Sequence, residues 1–467
     1  MKKIFLLFAA IFSLWNSTNA NNVQVSSPSI SGQNTSSHYS MVNFDVSWEN
    51  SWRTSSNESN YDAVWLIVKF RKANSGLWQH ATLNYASPGT AAACGHTQPS
   101  GSVLSTSSDG KGAFLYRSAD GTGNVSYTGA GLRWNYGADG VLDNDSVEIR
   151  VYAVEMVYIT QGQFYLGTGG TEVGSFKSGS TSNPYLVTSD SAIIIGTTIT
   201  NLYYSGSGDQ IGPLPLAFPK GYKAFWSMKY EISEQQYADF LNSLDATRAA
   251  TRNIGIPGTA NNYVPANPER AAETLSGVDF FAIMDWMALR PMTELEYEKN
   301  CRGYNIMPLP NEYAWGNTTI SGVTAVNNAS TAQETPQNGN AVYYSGANFL
   351  ARPIRCGAFA RDTTISRTES GGSYYGALDL SGNVQEYTMI VGNTTGRAFT
   401  GLHGDGNIDG NGEANVTNWA TGGLAYRGGY YSDYNSKLRV SDRTYAFSFS
   451  NATRAAGYGG RGVRTAE

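Results

Sequence analysis

From Val42 the chain alternates: Val42, Phe44, Val46 and Trp48 are apolar, while Asn43, Asp45 and Ser47 are polar. A period of two puts one set on each face of a strand, so this segment predicts a strand with one face buried and one wet. Val64, Leu66, Val68 and Phe70 repeat the pattern, as do Val147, Ile149, Val151 and Ala153. The stretches between them, such as Pro99 to Lys111, are rich in Gly, Ser, Thr and Asn and carry no helical period. Residues 21–153 therefore predict an all-β domain, an antiparallel sandwich of immunoglobulin or fibronectin kind. No Cys-Trp-Cys signature accompanies it, so the assignment rests on architecture alone.

The period lengthens in the second half. Ser233-Glu234-Gln235-Gln236 is a capping box, in which hydroxyl and amide satisfy each other's free backbone N–H groups. Tyr237, Phe240, Leu241 and Leu244 then fall on one helical face. Phe280, Ile283, Met284 and Met287 form another apolar stripe, ended near Pro291. Thr293-Glu294-Leu295-Glu296 is a second capping box, opening a short helix through Asn300. Glu294, Glu296 and Glu298 crowd its start, where carboxylates favour the positive end of the helix dipole. Beyond it Gly, Tyr and Asn dominate and few segments are periodic. The predicted fold class is α+β: an irregular domain over residues 154–467 preceded by the all-β sandwich domain.

Residues 1–20 predict a secretory leader: Lys2 and Lys3, an apolar run from Ile4 to Leu14, and a small-residue cleavage site at Thr18-Asn19-Ala20. The expected product is secreted, periplasmic or held at the cell surface. The apolar run is far shorter than the ~20 residues of a membrane-spanning helix, and no later segment is apolar enough, so no membrane span is expected. The formal net charge of -5 and the absence of a basic cluster argue against nucleic acid as a partner. Cys94, Cys301 and Cys356 allow at most one disulfide, and Cys301–Cys356 is the better candidate because both fall in the second domain. His38, His80, His96 and His403 show no ligand spacing, and His80 and His96 read as surface or structural residues.

A series of segments then resembles, in order, the formylglycine-generating (sulfatase-modifying factor) family. It begins with Val154-Glu155-Met156-Val157 and Gln163-Phe164-Tyr165-Leu166-Gly167, followed by Lys229-Tyr230-Glu231-Ile232-Ser233. Arg290-Pro291-Met292-Thr293-Glu294-Leu295-Glu296-Tyr297-Glu298 with Arg302-Gly303 comes next, then Tyr313-Ala314-Trp315-Gly316-Asn317 and Gly382-Asn383-Val384-Gln385-Glu386-Tyr387. Arg427-Gly428-Gly429, Arg439-Val440-Ser441-Asp442-Arg443 and Gly462-Val463-Arg464 close the series. The resemblance implies an irregular C-type-lectin-like fold, and makes Thr168 to Lys220, longer than the family spacing, a surface insertion.

It also implies calcium at the Gly382 to Tyr387 loop, held by the side chains of Asp379 and Glu386 and the carbonyls of Gly382 and Val384; hard oxygen donors suit Ca2+. The family's active oxidases hold copper on a cysteine pair just after Arg-Gly-Gly. Here Asp433 and Leu438 stand at those positions. Soft thiolates select Cu(I) and neither side chain supplies one, so copper is not expected. Asp405-Gly406-Asn407-Ile408-Asp409-Gly410 spaces its oxygens like an EF-hand loop, but Val416 stands at position twelve, which favours a plain turn. No Gly-x-Ser-x-Gly elbow or P-loop is present, and no dinucleotide fingerprint follows a predicted strand.

The expected function is that of an exported, catalytically degenerate family member, a binding or structural component of a bacterial cell surface. Envelope machinery of the Bacteroidota kind reuses this fold, so a cell-surface assembly fits. The groove that takes a peptide in the active enzymes would present Trp419, Tyr430, Tyr431 and Asp433 to an exported protein or glycan ligand. Each tyrosine reads equally well as ordinary packing. The alternative is a family enzyme with altered active-site residues acting on an exported protein.

Overall fold

The computed structural model describes residues 22–73, 77–206, 208–361, 364–446 and 453–467; the leader predicted over residues 1–20 lies outside them. In chain order the first strands are β1 (Gln24–Asn34), β2 (Tyr39–Arg53), β3 (Asp62–Lys72), β4 (Ser102–Thr106), β5 (Ala113–Arg117), β6 (Gly121–Trp134) and β7 (Val147–Ile159). The second half adds β8 (Phe225–Met228), β9 (Arg290–Thr293), β10 (Gln385–Met389), β11 (Leu424–Arg427) and β12 (Gly462–Thr465). β1, β2 and β6 form one antiparallel sheet, with Phe44 opposite Ala130 and Val46 opposite Tyr127. The other strands join a large sheet in the order β4-β5-β3-β7-β8-β12-β9-β10-β11. With six short helices among the described residues, the protein is α+β with β structure dominant.

The alternation read from the sequence is the contact between these sheets. Val42, Phe44, Val46 and Trp48 of β2 meet Val64, Leu66, Val68 and Phe70 of β3 in one buried cluster. β3 departs from the half-wet expectation, because its opposite face carries Ala63, Trp65 and Ile67 into a second core shared with the C-terminal half. Trp65 Nε1 donates to the Met287 carbonyl at 2.9 Å. Lys69 Nζ donates to the carbonyls of Trp286 and Gly406, so a buried ammonium closes that face.

β7 runs through residue 153 without a break. Residues 147–157 pair with β3, and Met156 to Ile159 pair with β8, so one strand serves both halves of the chain. Lys229 seals the joint, with Nζ 3.0 Å from Glu155 and 3.7 Å from Asp62. Burial pushes the Glu155 carboxyl up to about 7. Burial also works against the Lys229 ammonium, yet Glu155, Tyr230 and Asp62 outweigh it and hold the charge.

The capping boxes form as the sequence predicts. Helix α1 (Glu234–Leu241) starts at Ser233, which exchanges hydrogen bonds with Gln236. α2 (Ala246–Arg252), capped by Asp245, was not foreseen. α3 (Gly277–Trp286) holds the Phe280/Ile283/Met284 stripe, and α4 (Glu294–Arg302) starts at Thr293 and runs two residues past Asn300. The segment expected as a surface insertion buries Phe176, Val187, Leu202, Tyr204, Leu214 and Phe218 in the main core, and so is a packed part of the fold. All three cysteines are free: Cys301 packs beside Tyr297 and Cys356 beside Tyr230, in different clusters, and the Cys301–Cys356 bridge is not made.

Candidate functional site

The segment leading into β10 folds back tightly, with Asp379, Gly382 and Asn383 all at positive φ (63°, 97° and 67°). Such a turn leaves inward-facing amides that need acceptors. Glu231 supplies them: it accepts from Val384 N at 3.0 Å and from Asn383 Nδ2 at 2.5 Å, while Asn383 Oδ1 accepts from Ile354 N at 2.9 Å. Asp379 Oδ2 accepts from Gly357 N at 2.6 Å. Glu386, one residue into β10, takes both Nε (2.7 Å) and Nη2 (2.6 Å) of Arg461 on a single oxygen. The same guanidinium donates to the carbonyls of Leu378, Met228 and Lys229. Burial, with further repulsion from neighbouring carboxylates, pushes Glu231 well above the ordinary range and raises Glu386, and burial alone raises Asp379.

Arg461 is thus the counter-charge shared by three buried carboxylates, with Arg355 acting on Asp379 as well, and the second oxygen of Glu386 has no hydrogen-bond partner. Among the described residues no three His, Cys, Asp or Glu side chains cluster in a geometry that would hold a metal ion. A set of two carboxylates and two carbonyls does not require such a cluster. The surplus negative charge and the orphaned oxygen fit a hard divalent cation. Burial pushes the Cys301 thiol up to about 12 and raises Cys356 further from ionising, so neither is poised as a thiolate.

The glutamates of α4 do more than favour a helix dipole. Glu294 receives Arg443 at 2.7 Å, Glu296 receives Arg290 at 2.7 Å, and Glu298 receives Arg302 at 2.6 Å and Arg427 at 2.7 Å. Arg302 also pairs with Glu312. Every one of these side chains is buried. The Arg-Gly-Gly motif thus anchors its arginine under α4. Gly428 and Gly429 then turn the chain at φ 84° and 66°, where a Cβ on Gly428 would sit 2.9 Å from the Leu380 carbonyl oxygen.

Just past that turn lie the positions that resemble the oxidases' cysteine pair. Asp433 is 7 % exposed and accepts from Tyr445 Oη (2.5 Å), Gln385 Nε2 (3.2 Å) and Tyr430 N (3.2 Å). Burial raises its pKa despite these bonds. Leu438 is fully buried among Tyr313, Trp315, Ala341 and Tyr343. Tyr430 and Tyr431 stand edge to face at 5.1 Å, and Tyr431 Oη donates to Glu273 at 2.9 Å. The structure thus brings Tyr430, Tyr431 and Asp433 together. Trp419 joins a different cluster, packed on Phe281 at 5.4 Å. Glu231, Arg461, Gln385, Tyr445 and Glu273 are not among the site residues the sequence predicts, although Glu231 and Gln385 lie inside recognised motifs.

The remaining candidates are structural. The carboxylates of Asp405 and Asp409 accept from their own loop, at Asn407 N and at Asn411 N and Glu413 N, making the plain turn expected. His80 and His96 are buried, with Nε2 at 2.6 Å from the Lys111 carbonyl and 2.9 Å from the Asn84 carbonyl.

These features define a β-rich α+β protein in which Arg290, Arg302, Arg427 and Arg443, drawn from separate motifs, are buried clamps on one short helix. Residues 144–466, well over half of the chain, match the family model for the sulfatase-modifying factor enzyme 1-like domain. The chain belongs to that family. No curated protein matches it.

Proposed function

We propose that this protein is an exported family member that keeps the scaffold without the oxidase chemistry and acts as a binding or structural component of a bacterial cell surface. The observation that carries this reading is the fate of the two pair positions: Asp433 is committed to Tyr445 and Gln385, and Leu438 to an apolar core. In this reading a sandwich domain over residues 21–153 is joined to a C-type-lectin-like platform, and Tyr430, backed by the buried Tyr431 and Asp433, presents the ligand surface for an exported protein or glycan. Trp419 takes no part in that surface. Calcium bound by Asp379, Glu386 and the Gly382 and Val384 carbonyls supports the loop that carries Gln385, and through it Asp433.

The test is capture from envelope and secreted material of its own cell on the immobilised mature protein, in calcium and in chelator, with Tyr430→Ala and Asp433→Asn alongside. A defined ligand retained by the parent protein in calcium, and lost in both variants, is the expected result. No variant-sensitive ligand, together with copper-dependent oxygen uptake on a thiol peptide, would favour the altered enzyme instead.

A further inference from the structure

We propose that the cup lined by Tyr61, Tyr85, Phe114, Tyr116, Tyr158 and Trp226 binds a neutral pyranose unit of a glycan. The cup encloses about 160 Å³ where the two halves of the chain meet. Phe114 and Tyr116 come from β5, Tyr158 from β7 and Trp226 from β8. Its aromatic wall is fixed in place. Tyr61 and Tyr158 stack at 4.9 Å, Trp226 stands edge-on to them at 5.4 and 5.1 Å, and Phe114 stacks on Trp226 at 4.3 Å. Rings already held by their neighbours lose little freedom when a ligand arrives.

Charge selects the ligand class. The Arg53 guanidinium lies 4.7 Å from the Tyr61 centroid and 5.6 Å from that of Tyr116, so a cationic ligand would meet a cation already on those rings. Arg464 is taken by Asp109 and the Ala288 carbonyl, and the Glu467 side chain by Ser108, which leaves neither free for a charged partner. Among the described residues, the polar side-chain atoms of the cup with no partner include Tyr85 Oη, Tyr158 Oη and Ser105 Oγ, all neutral hydroxyls. Tyr85, at the rim, is 49 % exposed and its ring meets no other aromatic side chain. A saturated ring with apolar C–H faces and hydroxyl edges matches such a lining. A cup of this size takes one ring rather than an extended peptide.

The test is an array of neutral hexasaccharides (cellohexaose, xylohexaose, mannohexaose and chitohexaose) with a proline-rich decapeptide as competitor class. Calorimetric titration of the tightest sugar follows on the mature protein, Tyr85→Ala and Tyr158→Phe, with and without chelator. Binding of one neutral glycan is expected, unchanged by chelator, weakened about tenfold by Tyr85→Ala and by less in Tyr158→Phe. Circular dichroism of both variants should match the parent. No neutral glycan bound, equal binding by Tyr85→Ala, calcium-dependent binding, or peptide binding without sugar binding would each overturn the proposal.

Discussion

Replacing each partner of the Glu386–Arg461 pair should give unequal losses, and the inequality follows from counting charges around it. Glu386→Gln keeps an acceptor for Arg461 Nε and Nη2, and it removes one of three mutually repelling carboxylates. Its cost is the lost charge attraction plus an amide N–H placed where Oε2 has no partner today, together about 1–3 kcal/mol. Arg461→Met strands Glu231 and Glu386 without their counter-charge and leaves Asp379 with Arg355 alone. It also leaves the carbonyls of Leu378, Met228 and Lys229 without that donor, so about 3–5 kcal/mol or more is expected.

The pH dependence follows with a definite sign. Burial, opposed only by Arg461, raises the Glu386 carboxyl above its ordinary 4.5 in the folded state. A folded state that holds the proton more tightly than the unfolded chain gains stability as the pH falls. Removing Arg461 strengthens that effect, so Arg461→Met should recover part of its loss between pH 7 and pH 5, and Glu386→Gln should not. Urea denaturation followed by tryptophan fluorescence at both pH values reads all four numbers. A larger loss in Glu386→Gln than in Arg461→Met, or no recovery of Arg461→Met at pH 5, would refute the reasoning.

Glu298→Gln should destabilise by about 3 kcal/mol at pH 7, because it leaves Arg302 only Glu312 and Arg427 only Glu294, at 3.7 Å, as buried counter-charges. Burial raises the Glu298 carboxyl but the two guanidiniums outweigh it and hold it below 4.5. Its contribution is therefore present above 4.5 and lost as the pH falls through the folded value, and urea curves of parent and variant should converge at low pH. Installing cysteines at both pair positions, as Asp433→Cys with Leu438→Cys, should cost roughly 2–5 kcal/mol from stranded donors and an emptied apolar site, read as a lowered urea midpoint. In the native protein a thiol reagent should modify Cys94 alone, since Cys301 and Cys356 are buried, and it should reach all three after unfolding.

Sequence periodicity located the strands and helices whose apolar faces meet one core, and the capping boxes fixed where α1 and α4 begin. It missed the second buried face of β3, because Lys69 looks like a solvent residue until the Trp286 and Gly406 carbonyls surround it. It also missed the shared strand β7, since an alternation that runs on past Ala153 carries no mark of changing neighbours. The motif order gave the family. The role of the motif residues was legible only in part: Glu294, Glu296 and Glu298 lie close in sequence, while their arginine partners are spread from position 290 to position 443. The expected groove split for a related reason, because nothing local separates Trp419, packed on Phe281, from Tyr430 and Tyr431.

Oxygen consumption is the most direct test of whether the scaffold has outlived its chemistry. The mature protein, loaded with Cu(I) and given a cysteine-containing peptide under reducing conditions, should consume oxygen no faster than protein-free solution and leave the peptide cysteine unchanged by mass spectrometry. Copper-dependent uptake with conversion of that cysteine to formylglycine would contradict the account.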